Sequence, residues 1–288
     1  MSILSFGEIL WDVYPDDKYI GGAPLNFAAH LAKHGERVAM LSAVGEDELG
    51  KAALRQLDSW GISTAHVAVS NEKATGACLV TLDERAVPSY NLLKDVAYDY
   101  IPFDEKADGF DVLYFGTMAL RSAYNGESLR RFLQNGQYNE VFVDINLRPP
   151  FYSAETVRFA VEHATIIKIS DEELPKVAQL LEMDQTLPQV FAAALVKQNP
   201  QLRCVIVTLG ADGAMAYDPA ADTYHSCASE RVEVASTVGA GDSFSAAFLH
   251  KYLQKEALGT CLCYAAKVAG FVVSHYEAVP DYDVKAFA

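Results

Sequence analysis

The chain has 288 residues, of which 51% are hydrophobic, enough for a sizeable buried core and far from the composition of a disordered protein. Its net charge is −15, so it has no basic surface to offer to nucleic acid or to an anionic membrane. No window reaches the roughly 18 apolar residues of a membrane span, and the first residues lack the basic and apolar regions of a signal peptide, so we expect a cytoplasmic protein.

Short apolar runs alternate with amphipathic segments along the chain. Strands are predicted at residues 37–44, 111–118, 140–147, 164–170 and 204–210. Helical patterns between the strands include residues 128–135, 154–164 and 188–198. Several strands are apolar on both faces, and such strands in alternation with helices predict an α/β fold, with a mostly parallel central sheet between two helical layers.

Two stretches depart from this alternation. Within residues 20–31, a helical pattern begins directly after the pair Gly21 and Gly22. Residues 76–93 read as two strands joined by a turn with no helix between them, which suits a flap over a site. The sequence contains no linker, repeat or low-complexity tract, so we expect one domain with a small β-strand appendage.

The cysteines and histidines give no metal-binding pattern. The five cysteines include no C-x-x-C pair, which predicts buried free thiols in a reducing compartment and makes a zinc site improbable. His30 and His34 have helical i, i+4 spacing, but the glutamate of an H-E-x-x-H motif is missing, so we expect ordinary surface residues.

One segment imitates a phosphate-binding loop. GEDELGKA, residues 45–52, matches G-x-x-x-x-G-K but ends in Ala52, where a P-loop requires Ser or Thr as a Mg²⁺ ligand. Its three carboxylates would repel phosphate, so a plain strand-turn-helix connection is the better interpretation. G-x-G-x-x-G is also missing, which leaves a dinucleotide-binding dehydrogenase without its main sequence support.

A second glycine-rich stretch is more informative. STVGAGDSF, residues 236–244, lies between an alternating segment, 230–236, that predicts a strand and a helical segment, 243–253. Small residues at a helix N-terminus leave free N–H groups that attract anions, and Asp242 beside them suits a base that accepts a hydroxyl proton. A glycine turn with Asp242 as helix N-cap explains the same letters equally well from spacing alone.

With GGAPLNFAAHLAKHG near the amino terminus, STVGAGDSF resembles the two signature regions of the ribokinase-like, or PfkB, carbohydrate kinases. Similarity extends over nearly the whole chain, through FGEILWDVYP, VGEDELG, DINLRPPF, KISDEEL, VTLGADGA and the terminal AVP. The resemblance implies a three-layer α/β/α kinase domain spanning residues 1–288, with lid strands at about 12–22 and 76–100 that exclude water on closing. It also implies ATP and Mg²⁺, with fructokinases as the most similar members.

The same resemblance assigns roles to individual positions. It implies that Asp242 is the catalytic base and that Gly239, Ala240 and Gly241 form the anion hole for the γ-phosphate. Sugar hydroxyls are expected at Asp12, Gly22 and Asn26, which offer the donors and acceptors that hydroxyls need. The nucleotide is expected at Lys168, Ser170, Thr208, Gly210 and Gly213, and Mg²⁺ at Glu173 through a water.

Four of the assigned positions also have purely structural interpretations. Ser170 and Glu173 have the spacing of a capping box, which would explain both without a ligand, and relatives usually carry Asn in place of Ser170. Arg148 suits a phosphate or an acidic sugar but equally a structural acid. Tyr90 is expected to stack on the sugar or to belong to the lid's own core.

A serine replaces an acid that many relatives have. Ser236 stands where potassium-activated relatives carry Asp, so we expect little dependence on potassium. The function implied is phosphorylation of a primary hydroxyl, with D-fructose as the expected sugar. Alternatives are a 2-keto-3-deoxygluconate kinase, with Arg148 or Lys94 facing the substrate carboxylate, a ribokinase, and a non-catalytic sensor on the same fold. A homodimer through the lid is expected by resemblance only.

Overall fold

The computed structural model describes residues 1–82 and 88–287, and only the backbone of residues 82 and 88–90. In chain order the strands are β1 (Ser2–Phe6), β2 (Leu10–Val13), β3 (Lys18–Gly21), β4 (Arg37–Gly45), β5 (Ser63–Ser70), β6 (Gly76–Leu82), β7 (Pro88–Leu92), β8 (Val112–Gly116), β9 (Glu140–Asp144), β10 (Ile166–Ser170), β11 (Cys204–Thr208), β12 (Ala214–Asp218) and β13 (Thr223–Cys227). The helices are α1 (Ala23–Lys33), α2 (Glu48–Ser59), α3 (Ala123–Asn135), α4 (Ala154–His163), α5 (Leu174–Leu180), α6 (Pro188–Gln198), α7 (Ala240–Leu253) and α8 (Leu258–Val273). All five predicted strands and all three predicted helical segments are present, so the local patterns were sufficient for these elements.

Nine strands form the central sheet in the order β13-β12-β11-β10-β9-β8-β1-β4-β5. All neighbours pair in parallel except β11–β12 and β12–β13, which are antiparallel. One apolar cluster packs α1, α2, α7 and α8 on one face, and a second packs α3 to α6 on the other. The predicted three-layer α/β/α fold is confirmed.

A separate four-stranded sheet has the order β3-β2-β6-β7. Strands β6 and β7 pair antiparallel, as predicted for residues 76–93, and β2 joins β6 in parallel. Leu10, Cys78, Val96 and Tyr98 form a small apolar cluster under this sheet. Its strands lie within or beside the predicted lid ranges.

The segment before α7 differs from its prediction. Residues 228–237 have no regular secondary structure, so the strand predicted at 230–236 is wrong. The amides of Ala235 and Ser236 donate to the carbonyl oxygen of Val273 at 2.8 and 3.2 Å, at the end of α8. Because these backbone groups bond to a helix end, the alternating sequence does not produce a sheet pairing.

Two predictions about single residue types are also wrong. Cys227 and Cys263 form a disulfide between the end of β13 and α8, whereas Cys78, Cys204 and Cys261 are free and buried. The paired cysteines are 36 residues apart, so no local motif predicts that they form a disulfide. His30 and His34, expected at the surface, are both buried, because this face of α1 packs against other elements. Among the residues described, no helix is long and apolar enough to cross a membrane.

Candidate active site

Two of the predicted site residues, Ser170 and Thr208, lie with other polar residues at the carboxyl ends of parallel strands. Asp144 ends β9, Ser170 ends β10 and Thr208 ends β11, and Glu8 follows β1 by two residues. Ligands of open parallel sheets bind at this edge. The topology therefore brings residues that are distant in sequence to one cleft.

Asp242 lies in the first turn of α7 and is buried. Its Oδ2 accepts a hydrogen bond of 2.8 Å from Nδ2 of Asn26 on α1. Burial raises the pKa of Asp242 to about 6, against the opposing effect of the Asn26 hydrogen bond. The N-cap of α7 is Gly239, so the interpretation of Asp242 as a helix cap is wrong.

The start of α7 is shaped for close approach by a ligand. Gly239 has a positive φ of 80°, and a side chain there would meet Ala278, whose carbonyl oxygen lies 2.5 Å from the Cβ position. The first N–H groups of a helix have no intrahelical acceptor. Gly239, Ala240 and Gly241 are half-buried. The Ala240 amide donates to the carbonyl oxygen of Thr237 at 3.3 Å, whereas the amides of Gly239 and Gly241 have no acceptor among the residues described, so two donors are left for a ligand at this end of the helix.

Lys168 supports this helix end from below. Its Nζ lies 2.9 Å from the position that a Cβ of Gly241 would occupy, and 3.0 Å from Oδ2 of Asp144. The same Asp144 oxygen accepts from Oγ of Ser245 at 3.0 Å. Burial opposes the charge on Lys168, but Asp144 and Glu173 outweigh it and raise its pKa. A positive charge held by Asp144 therefore lies beneath the start of α7.

Among the candidate sugar residues, Asn26 contacts Asp242, and Gly22 lies one helical turn before Asn26. Gly22 is the N-cap of α1 at φ 116°, and any Cβ there would collide with the carbonyl oxygen of Glu8. Asp12 lies on β2; burial raises its pKa, whereas the charge of Arg148 lowers it. The charge of Arg148 also lowers the pKa of Asp242, so it favours the ionised form of both carboxylates.

Glu8 is a site residue that the sequence interpretation did not assign. It is buried, and its Oε2 has no hydrogen-bond partner among the residues described. Burial raises the pKa of Glu8 to about 7, and the charge of Asp242 adds to this effect. The signal in the sequence was an acid placed two residues after the strand SILSF, at the edge where the parallel strands end.

Ser170 and Glu173 form the reciprocal bonds of a capping box. Oε2 of Glu173 accepts from the Ser170 amide and hydroxyl at 2.9 Å each, and the Glu173 amide donates to Ser170 Oγ at 3.3 Å. Oε1 of Glu173 accepts from the Leu147 amide at 2.5 Å. Helix α5 itself begins one residue later, at Leu174. Both carboxylate oxygens of Glu173 thus accept hydrogen bonds from the protein. Direct ligation of a cation by Glu173 is therefore disfavoured relative to a contact through a water.

The candidate nucleotide loop is one strand further along the same edge. Thr208 pairs with Ser170 in the β10–β11 register. Gly210 and Gly213 bracket a short 3₁₀ turn between β11 and β12. A side chain at Gly213 would collide with the carbonyl oxygen of Cys227, so the disulfide lies directly beside this loop.

Tyr90 and the expected metal ion are the remaining parts of the predicted site. The side chain of Tyr90 lies outside the described residues, so its stacking role stays a prediction. Across residues 1–82 and 88–287, no group of three or more His, Cys, Asp or Glu side chains could hold a metal ion.

The imitation P-loop is a structural turn, as predicted. Asp47 caps α2 by accepting from the Gly50 amide at 2.8 Å and also accepts from the Thr75 amide. A Cβ on Gly50 would collide with the carbonyl oxygen of Gly45. The turn is therefore filled by protein and leaves no space for phosphate.

Residues 9–284 match the family model described as pfkB family carbohydrate kinase. The chain belongs to this family. The match covers every candidate site residue of this PfkB kinase except Glu8.

The relatives of this PfkB kinase carry two different enzyme names. A 5-dehydro-2-deoxygluconokinase of Halalkalibacterium halodurans is 26% identical over 289 residues, covering 92% of this chain and 84% of that protein. A fructokinase of Rhizobium leguminosarum bv. trifolii is 28% identical over 267 residues, covering 86% and 78%. A solved fructokinase from Xylella fastidiosa with bound ATP has a TM-score of 0.84 at 22% identity, covering 99% and 97%, which supports the fold.

Proposed function

We propose that this PfkB kinase transfers the γ-phosphoryl group of ATP to the primary hydroxyl of a sugar, and that D-fructose is the sugar, giving fructose 6-phosphate. The observation that carries the proposal is the buried Asp242 in the first turn of α7, hydrogen-bonded by Asn26 and adjoining a helix end with free amides. Family membership supports sugar phosphorylation, and the fructokinase relative supports fructose.

Asp242 is proposed to act as the base. Asn26 occupies Oδ2, so Oδ1 is left to accept the proton of the attacking hydroxyl. A pKa raised to about 6 makes the carboxylate a stronger base than an exposed aspartate while leaving it mostly ionised at neutral pH. The proton moves from the sugar oxygen to Oδ1 as that oxygen bonds to phosphorus.

The transferred group is proposed to lie against Gly239, Ala240 and Gly241. Amides at a helix start stabilise the charge that spreads over the phosphoryl oxygens, and they need no reorganisation during the reaction. Lys168 adds a positive charge just beneath Gly241, which strengthens the field at this point. Its pairing with Asp144 holds the ammonium in place.

The sugar is proposed to bind between Asp12, Gly22, Asn26 and Arg148. Oδ1 of Asn26 is buried without a partner among the residues described, so a sugar hydroxyl can donate to it. The bare backbone of Gly22 permits a ligand to approach α1 closely. Tyr90 is proposed to contact the sugar from the lid.

The nucleotide is proposed to extend along Ser170, Thr208, Gly210 and Gly213. The small and hydroxyl-bearing residues at the ends of β10 and β11 leave the backbone accessible to ribose and base. When bound, Mg²⁺ would neutralise charge on the ATP phosphates. Glu173 is proposed to hold it through a water, since its own oxygens already accept three hydrogen bonds with good geometry.

The four-stranded sheet is proposed to be the lid of a single kinase domain, residues 1–288. Its closing would exclude water, which otherwise competes with the sugar for the phosphoryl group. A homodimer through this sheet is part of the proposal, because edge strands β3 and β7 are the termini of its order. Light scattering over a concentration series tests the dimer.

An acidic sugar is the second candidate substrate. The 5-dehydro-2-deoxygluconokinase relative acts on a sugar acid by its name. Arg148 is exposed, and within the described ranges it forms no ion pair, so it can face a substrate carboxylate. Arg148→Gln is expected to weaken turnover of such an acid at least tenfold and of fructose much less.

The test is a coupled ADP-release screen. Fructose, ribose, tagatose, adenosine, 2-keto-3-deoxygluconate and 5-dehydro-2-deoxygluconate are offered with ATP and Mg²⁺, and the phosphorylated position is read by NMR. Fructose with the highest kcat/KM is expected. A higher value for either keto acid contradicts the fructose assignment, and binding without ADP release by any sugar would favour a sensor.

A further inference from the structure

His30 lies one helical turn beyond Asn26 on the same face of α1. Its side chain is fully buried, and no part of the proposed mechanism uses it. Asn26 donates a hydrogen bond to the carboxylate of Asp242, so this face of α1 contacts the start of α7. A buried imidazole on that face therefore has the active site next to it.

Both ring nitrogens of His30 are engaged. Nδ1 lies 2.7 Å from the hydroxyl of Tyr282, and Nε2 lies 3.0 Å from the carbonyl oxygen of Ala278. A carbonyl oxygen can only accept, so Nε2 carries the proton and donates to Ala278. Nδ1 of the neutral ring then accepts from Tyr282. Burial lowers the pKa of His30 to about 3, which agrees with a neutral ring.

Ala278 connects this histidine to the anion-binding helix end. The Cβ position of Gly239 is 2.5 Å from the carbonyl oxygen of Ala278 and 2.8 Å from its Cα. Gly239 thus packs its bare backbone directly on the residue whose carbonyl His30 holds. If Ala278 shifted, it would either press on Gly239 or lose contact with it. The first amides of α7 would then change position as well.

We propose that His30 is a positioning residue for phosphoryl transfer: its Nε2–H holds the carbonyl of Ala278, which backs Gly239 and fixes the first amides of α7, those of Gly239 and Gly241 among them. This inference rests on the proposed function, because it assumes that those amides receive the transferred group. His30 touches neither substrate; it acts through Ala278. Amides displaced by a fraction of an ångström fit the transition state less well than the bound substrate.

The test compares three variants on this one helix. His30→Phe keeps an aromatic ring and removes both hydrogen bonds, whereas His30→Gln keeps an N–H that can reach Ala278. His34→Phe is the matched control, since His34 is also a buried histidine of the α1 segment but bonds to the helix carbonyl of His30. Thermal unfolding of all three separates loss of packing from loss of positioning.

The expected result is a fall in kcat of about tenfold or more in His30→Phe with sugar KM within twofold. His30→Gln is expected to recover most of the rate, and His34→Phe to keep it despite a similar loss of thermal stability. A His30→Phe rate within twofold of wild type, or an equal rate loss in His34→Phe, overturns the proposal.

A binding measurement keeps this inference distinct from the proposed function. Calorimetry gives the affinities of ADP and of a β,γ-imido analogue of ATP for each variant. His30→Phe is expected to lower the affinity for the analogue at least threefold and to leave that for ADP unchanged. Equal loss for both ligands contradicts the role of His30, whereas a wild type that binds the analogue but phosphorylates no sugar contradicts the proposed function alone.

Discussion

Replacing Glu8 with glutamine removes a buried titratable group and keeps its shape. Burial raises the pKa of Glu8 from its ordinary value of 4.5 to about 7 in the folded chain. The folded state therefore holds the proton more tightly than the unfolded state. Its contribution to stability is fully present below pH 4.5, decreases as the pH rises, and is lost above about pH 7.

The size of the effect follows from the two pKa values. The step from 4.5 to about 7, at about 1.4 kcal/mol per unit, corresponds to about 3 kcal/mol of unfolding free energy. Glutamine has no charge to bury at any pH, so Glu8→Gln avoids this loss. Relative to wild type, the variant should be more stable at pH 8 than at pH 5 by about 2–3 kcal/mol.

Urea denaturation of both proteins at pH 5 and pH 8 measures this difference. Glu72→Gln is the control, because Glu72 is exposed. Its neutralisation should change the unfolding free energy by the same amount at pH 5 and at pH 8. If Glu8→Gln shifts the unfolding free energy equally at pH 5 and pH 8, the carboxyl is not held neutral by burial, and the electrostatic description of the site is wrong.

The other predictions concern rate, covalent structure and ions. Because the pKa of Asp242 is raised to about 6 and the base must be ionised, kcat/KM should fall about tenfold per pH unit below pH 6 in initial-rate assays; a flat profile down to pH 5 contradicts this. Replacing Cys227 and Cys263 together by serine should lower the unfolding free energy by about 2–4 kcal/mol in denaturant titrations, and an unchanged value would mean that the disulfide does not form. At Ser236 a neutral hydroxyl replaces the expected acid, so rates in potassium and sodium at equal ionic strength should agree within about twofold, and a several-fold rise with potassium contradicts this.

The fold was readable because its signals are local. Strands such as β9 and β11 are apolar on both faces, and helices such as α6 carry the 3.6-residue period, so each element is specified by its own residues. The alternating segment 230–236 misled for the same reason. Its pattern is that of a strand, but the amides of Ala235 and Ser236 bond to the end of α8, and the segment does not extend the sheet beyond β13.

The site was readable only where a motif lies on one segment. The glycines before Asp242 belong to one loop, and Asn26 follows a glycine pair. Glu8, His30 and the pair Cys227–Cys263 depend on contacts across large sequence separations, such as the one between His30 and Ala278. Those contacts exist only once the sheet and helices have assembled, so no local motif identifies them, and Glu8 is indicated only by its place shortly after β1.

The most direct test of the central claim is the rate of Asp242→Asn, measured by ADP release with the best sugar of the screen. Asparagine keeps the size of the side chain and removes the proton acceptor. We expect a fall in kcat of about 100-fold or more, with the KM for ATP within about threefold of wild type. Turnover within tenfold of wild type, in a variant that unfolds at the wild-type temperature, would contradict the assignment of Asp242 as the base of this PfkB kinase.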